Sequence, residues 1–263
     1  MRARFVEFVL KALTKEQAIT QANSILTVCA GMAERELFAR LGFKNVLISN
    51  VDERMHAKQF APFHWSREDA QRLSFADASF DIVFVADGLH HCRAPHRALL
   101  EMYRVARRIV IVVESRDSFT MQLANRLGLS PKYELESVID HDFSYEGVDN
   151  TPIPNFIYRW TEAEFKKTIQ SYNPTGRHRF RFFYGLNLPY EMAELKKHRI
   201  KLWAIYLAAP FAKVFTLLFK RQCNSFAMVV AKPELPADLW PWLTEEDGQI
   251  VFNRAYAEKR FRS

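Results

Sequence analysis

Four short apolar runs separated by helix-length stretches most restrict what this chain can fold into. They are residues 24–30 (SILTVCA), 45–50 (NVLISN), 80–86 (FDIVFVA) and 108–114 (RIVIVVE). Each is rich in residues that suit strands, and none alternates apolar with polar as a sheet with one wet face would. Strands buried on both faces and joined through helices form a parallel sheet covered on both sides. The intervening stretches agree. Residues 5–22 place Phe5, Phe8, Val9, Ala12 and Leu13 at helical spacing, 34–41 read as a helix closed by Gly42, and 96–105 as another. Thr161 with Glu164 three residues on predicts a capped helix over 161–171. Residues 177–184 (RHRFRFFY) and 224–232 (NSFAMVVAK) read as two late strands, compatible with an antiparallel hairpin at one sheet edge.

A chain of 263 residues, 49% apolar and 25% charged, is neither wholesale disordered nor a multi-span membrane protein. One elaborated domain is expected over 1–232, with an apolar, basic insertion at about 186–222 and a tail, 233–263, packed on the domain. The net charge of +7 favours an anionic partner. Cys29, Cys92 and Cys223 are odd in number and far apart, so no disulfide framework or paired metal cluster is written here, which fits a reducing, cytoplasmic setting. The opening apolar run is interrupted by Glu7 and Lys11 and reads as an amphipathic helix, not a signal peptide.

Residues 68–81 (EDAQRLSFADASFD), the turn 87–92 (DGLHHC) and the helix 98–106 (ALLEMYRVA) sit at the spacings seen in one known group. Over residues 24–114 the chain resembles the class I S-adenosylmethionine-dependent methyltransferases, in particular the small-molecule branch with an LhH turn after strand four. The resemblance implies a doubly wound, mostly parallel seven-stranded sheet of Rossmann-like form, with an antiparallel edge hairpin and a helical insertion. It also implies S-adenosylmethionine as cofactor. Gly31 takes the central glycine of the family's turn after strand one, with Cys29 and Ala33 at the flanking small positions. Glycine there lets a ligand approach the backbone. Asn50, or Asp52 two residues on, falls where the family bonds the ribose hydroxyls, and Thr27 stands where the family usually has an acid. Asp69 would accept from the adenine amino group while the Ala70 amide faces a ring nitrogen. Asp87 opens the LhH turn. His91 matches the family's histidine, and it and His90 are equally candidates for a catalytic base or for packing. His141, Asp142 and Tyr145 are remoter candidates in what reads as an ordinary loop.

No metal site is expected. Residues 202–219 are almost wholly apolar, with Lys213 the one charge, and Pro210 is expected to break them. Between residues 177 and 221 ten Lys or Arg face two acids, Glu191 and Glu194. This suits an element lying on an anionic membrane surface, with a lipid-linked acceptor, or a substrate lid or homodimer contact, and the lid or dimer reading is preferred. The expected function is methyl transfer to a small-molecule or lipid-linked acceptor, in the cytoplasm or peripherally on the inner face of a membrane. The alternative is a scaffold protein that keeps the fold without catalysis. RNA methylation ranks third, because no stacking-aromatic and basic repeat is present, so nucleic acid is not the expected partner.

Overall fold

The computed structural model of the chain describes residues 2–188 and 199–261. Seven strands form its main sheet: β1 (Ser24–Thr27), β2 (Asn45–Asn50), β3 (His64–Arg67), β4 (Phe80–Ala86), β5 (Ala106–Ser115), β6 (Arg179–Gly185) and β7 (Ser225–Ala231). Their spatial order is β3-β2-β1-β4-β5-β7-β6. Neighbours pair in parallel except β7, which runs antiparallel to both β5 and β6. The chain leaves β1 toward one edge and, from β4 on, builds toward the other. The strand order therefore reverses between β1 and β4, and in such sheets ligands bind beyond the strand tips at that point.

Six helices surround this sheet: α1 (Arg2–Lys15), α2 (Met32–Arg40), α3 (Pro95–Val105), α4 (Phe119–Arg126), α5 (Leu135–Asp140) and α6 (Glu162–Tyr172). A long apolar helix follows, α7 (Arg199–Leu218), and α8 (Arg254–Phe261) ends the described chain. Continuous apolar strands serve two cores at once. In β4, Ile82 and Phe84 pack with Val9, Leu13 and Phe38 of α1 and α2, while Val83 and Val85 pack with Leu99, Met102 and Phe165 of α3 and α6. Each such side chain contributes about 1.5–3 kcal/mol on leaving water. Trp160 is the largest wholly buried side chain, set 4.8 Å from the His96 ring and 5.3 Å from that of Tyr158. Trp160→Ala is expected to cost about 3–5 kcal/mol, read as a lower urea midpoint at unchanged slope.

Local geometry trims several elements expected from sequence. The first helix stops at Lys15, short of residue 22, and Gln17 at φ +58° turns the chain away. The first strand stops at Thr27 because Cys29 adopts φ +51°. Thr161 does cap α6, its hydroxyl accepting from the Glu164 amide at 3.2 Å. The polar segment HWSR becomes the edge strand β3, which apolar patterning could not reveal. Pro210 does not break the apolar stretch but lies within α7, where at an exposed position water can replace the lost intrahelical hydrogen bond. Residues 189–198 of the expected insertion lie outside the described residues. The tail is tied at its start, the Arg177 amide donating to the Asp238 carbonyl at 2.8 Å, and then forms a separate hairpin, β8 (Leu243–Glu246) and β9 (Gln249–Phe252). Trp240 and Trp242 stack on each other with centroids 4.9 Å apart.

Candidate active site

Two turns build the site, one after β1 and one after β4, and each explains the other's composition. Cys29 stands in the left-handed region, where glycine is usual. Its side chain occupies the space a Cβ on Gly88 would need, since such an atom would lie 2.4 Å from the Cys29 Cβ. The glycine lost from the first turn is thus matched by one in the second. A Cβ on Gly31 would meet only the Met55 methyl, 4.0 Å away, so the backbone there is open to a ligand. Cys29 and Cys92 bring their sulfurs to 4.0 Å, and that contact with burial pushes the Cys92 thiol far above its usual range.

The strand tips enclose a cleft of about 290 Å³ lined by Cys29, Asn50, Asp69, Ala70, Asp87 and His91, among others. Five carboxylates line it, Glu68, Asp69, Asp87, Glu146 and Asp149, and among the described residues no Lys or Arg does. A cleft of that charge suits a cationic ligand carrying an ammonium and a sulfonium. Asp69 Oδ1 accepts from the Gln71 amide at 2.8 Å, which fixes the carboxylate beside Ala70. Asn50 spends its amide on the Ala30 carbonyl (3.2 Å) and on the Asp52 amide (3.1 Å), tying the β2 tip to the first turn.

Three expected cofactor residues, Gly31, Ala33 and Asp52, are not in the cleft lining. Asp52 is outside the lining, its carboxylate taken by Arg54 at 2.7 and 2.8 Å, contacts that hold it below the usual carboxylate range. Ala33 lies on the exposed side of α2. Segment 146–150 roofs the cleft, where Asp149 accepts from Gln71 Nε2 (2.9 Å) and from Arg93 Nε (3.0 Å). Of the remoter candidates, His141 is bound to the Ser137 carbonyl at 2.7 Å, and Tyr145 lies under the Arg54 guanidinium.

A second, larger cavity of about 640 Å³ opens on the other side of the LhH turn. Its lining is mostly apolar, from Met121, Leu129, Ile157, Leu186 and the inner face of α7, with His90 and Glu134 in the wall. His90 Nδ1 is 2.7 Å from Glu114 Oε2, and its Nε2 is 3.2 Å from Glu134 Oε2. Burial opposes a charge on His90, but the Glu114 carboxylate and then Glu134 overcome it and raise its pKa to about 9. Glu134 is pushed up by burial and pulled down further by His90, to about 2. His91 differs: burial and then the His90 charge lower its pKa, so it is neutral at pH 7. His91 lines the cleft and His90 the cavity, so the pair forms the partition between them.

Sequence reasoning missed Glu114 and Glu134. A wholly buried carboxylate ending the run IVIVVE was the available sign for Glu114. Glu134 lies between irregular segments and gave none.

The family model described as a methyltransferase domain matches residues 27–113, the span holding both turns. No curated protein matches. Among solved structures, the chain is similar to magnesium protoporphyrin IX methyltransferase from Synechocystis PCC 6803, a structure with bound SAH. That likeness has 13% identity and a TM-score of 0.51, covering 88% of this chain and 83% of that one. It is similar to the YcgJ protein of Bacillus subtilis (12% identity, TM-score 0.51, 86% and 98% covered). It is also similar to the [4+2]-cyclase SpnF (14% identity, TM-score 0.50, 86% and 80% covered). At such identities the likeness is one of fold, while the match over residues 27–113 supplies the domain assignment. On the Rossmann-like sheet and that match together, residues 27–113 form a methyltransferase domain of the class I kind, which takes S-adenosylmethionine as methyl donor.

Proposed function

We propose that the chain methylates an amphiphilic, lipid-linked acceptor whose apolar part fills the large cavity, with S-adenosylmethionine seated in the acidic cleft. One observation carries this reading: the two spaces share the wall formed by His90, His91 and Glu134. When bound, the cofactor supplies an electrophilic methyl group, and in-line transfer needs alignment and water exclusion more than covalent help. Asp69 and the Ala70 amide grip the adenine, and the open backbone at Gly31 admits the methionine end. His91, neutral and on the cleft side, takes a proton from an acceptor hydroxyl or acidic carbon. The His90 cation, clamped by two carboxylates, orients the acceptor's polar head and keeps its own proton.

The acceptor class follows from α7. Its inward stripe, Ile205, Ala209, Ala212 and Thr216, lines the cavity. Its opposite stripe, Trp203, Tyr206, Leu207, Phe211, Val214 and Leu218, recurs at helical spacing and is exposed, with Phe211 at 78% and Leu218 at 75%. Exposed Lys213, Lys220 and Arg221 lie on or beside it. No helix among the described residues is long and apolar enough to cross a membrane. An apolar stripe with basic neighbours suits the surface of an anionic bilayer, from which a lipid could pass under α7 into the cavity.

Vesicle flotation tests the surface, and calorimetry tests the cleft. The chain is expected to float with phosphatidylglycerol vesicles, weakly with phosphatidylcholine, and L207E/F211E is expected to abolish flotation. Equal flotation of wild type and variant would overturn the membrane reading. Asp69→Ala is expected to weaken S-adenosylmethionine binding about tenfold, the loss of one hydrogen bond of roughly 1.4 kcal/mol. No heat from the wild type at high concentration would favour the scaffold reading.

A further inference from the structure

We propose that His90, His91 and Glu134 also form a binding site for a divalent first-row transition metal, zinc being the best fit. The His90 and His91 Nε2 atoms lie 3.2 and 3.4 Å from one oxygen, Glu134 Oε2. All three ligand atoms lie within 4.8 Å of one another. Nitrogen and oxygen ligands sit at about 2.0–2.1 Å from zinc, which puts the corners of a tetrahedron about 3.3–3.4 Å apart. Both measured separations have the length of such edges. A small closing movement of the two rings would complete the face.

The surroundings of His90 are those of a metal ligand. Its second ring nitrogen, Nδ1, is held at 2.7 Å by Glu114, a wholly buried carboxylate whose other oxygen accepts from the Leu89 amide at 2.7 Å. A carboxylate behind a ligating histidine fixes the ring and raises its basicity, and this pairing recurs at protein metal sites. Glu134 is itself steadied by Asn155 Nδ2, which donates to Oε2 at 3.3 Å. Asp87, His90 and Glu114 are also near enough to one another to share an ion, but that set would break the Glu114 support of His90.

Two imidazoles and one carboxylate select zinc, iron(II) or manganese over magnesium and calcium, which prefer oxygen ligands throughout. Three protein ligands leave at least one coordination position open, the pattern of catalytic rather than structural sites. That position lies in the partition between cleft and cavity. An acceptor hydroxyl bound there would be polarised and its pKa lowered by the ion, so that its proton passes to water instead of to His91. The binding itself goes beyond the methyl-transfer reading and does not depend on it.

The test uses tag-free full chain, stripped with a chelator and titrated calorimetrically with zinc chloride alone. Expected are one ion per chain at micromolar affinity or tighter, a loss of about 100-fold in His91→Ala and in Glu134→Gln, and a loss of about 10–100-fold in Glu114→Gln. Cobalt(II) loaded into the wild type is expected to give the intense visible bands of a tetrahedral site, which protects the test should a variant fold poorly. Wild-type uptake no better than that of the folded His91→Ala chain, or a weak octahedral cobalt spectrum, would overturn the proposal. S-adenosylmethionine titrated into the same stripped protein separates the two readings. Zinc binding without cofactor binding would leave the ion site and remove the methyltransferase reading, and the reverse result would do the opposite.

Discussion

Glu114→Ala is expected to lower folding stability by about 3–5 kcal/mol, the usual result of removing one member of a buried ion pair. The side chain is wholly buried, accepts from the Leu89 amide, and holds His90 Nδ1 at 2.7 Å. Without it a buried imidazolium keeps only Glu134, 3.2 Å away, and the amide loses its acceptor. The pair also predicts how stability varies with pH. His90 is raised from 6.5 to about 9, so the folded chain binds more protons than the unfolded chain between those values. Its contribution is complete below pH 6.5 and disappears as pH rises through 9. Glu134 is lowered from 4.5 to about 2, so its contribution is complete above pH 4.5 and disappears as pH falls through 2. The triad therefore stabilises most between pH 4.5 and 6.5. Melting temperatures taken across pH 6 to 10 should decline on the alkaline side in the wild type and less steeply in His90→Asn. Parallel curves would show that this cluster does not couple protons to folding.

The second large effect belongs to His91. His91→Ala is expected to reduce kcat/KM by about 10²–10⁴, the range for losing a positioned proton acceptor. S-adenosylmethionine affinity should change by no more than about threefold, because the hydrogen bonds assigned to the cofactor come from Asp69 and Ala70. The readout is transfer of labelled methyl to a membrane lipid extract. Burial and the His90 cation lower the pKa of His91 from 6.5, so the wild-type rate should fall only on the acid side, below pH 6.5, as the ring gains a proton. That acid limb should vanish from the residual activity of the variant. A rise in KM with kcat and the acid limb intact would make His91 a binding residue and return the search for a base to the cavity.

The balance between sequence and tertiary structure differs along the chain. Runs such as FDIVFVA can bury only as a two-faced strand, because both residue sets along them are apolar, and this alone dictated the parallel sheet and its helical cover. Asp69 and His91 were legible because they lie in stretches of fixed spacing next to strands, and the structure brings both into one cleft. Asp52 was equally plausible by spacing, yet Arg54 two residues on supplies a local partner that neutralises it. The HWSR strand was invisible, since an edge strand needs hydrogen bonds more than apolar side chains.

What sequence determined, then, is what depends on local periodicity: the apolar strands, most of the helices, and the acidic and histidine turns that follow them. Only tertiary structure decided which histidine is charged. His90 and His91 are adjacent in the chain, and no local rule separates them. Glu114 and Glu134 reach His90 from 24 and 44 residues away, and only folding puts both carboxylates on one ring while leaving its neighbour neutral. Electrostatic energy depends on distance in space and on the water removed between charges, and neither quantity is written in the order of residues.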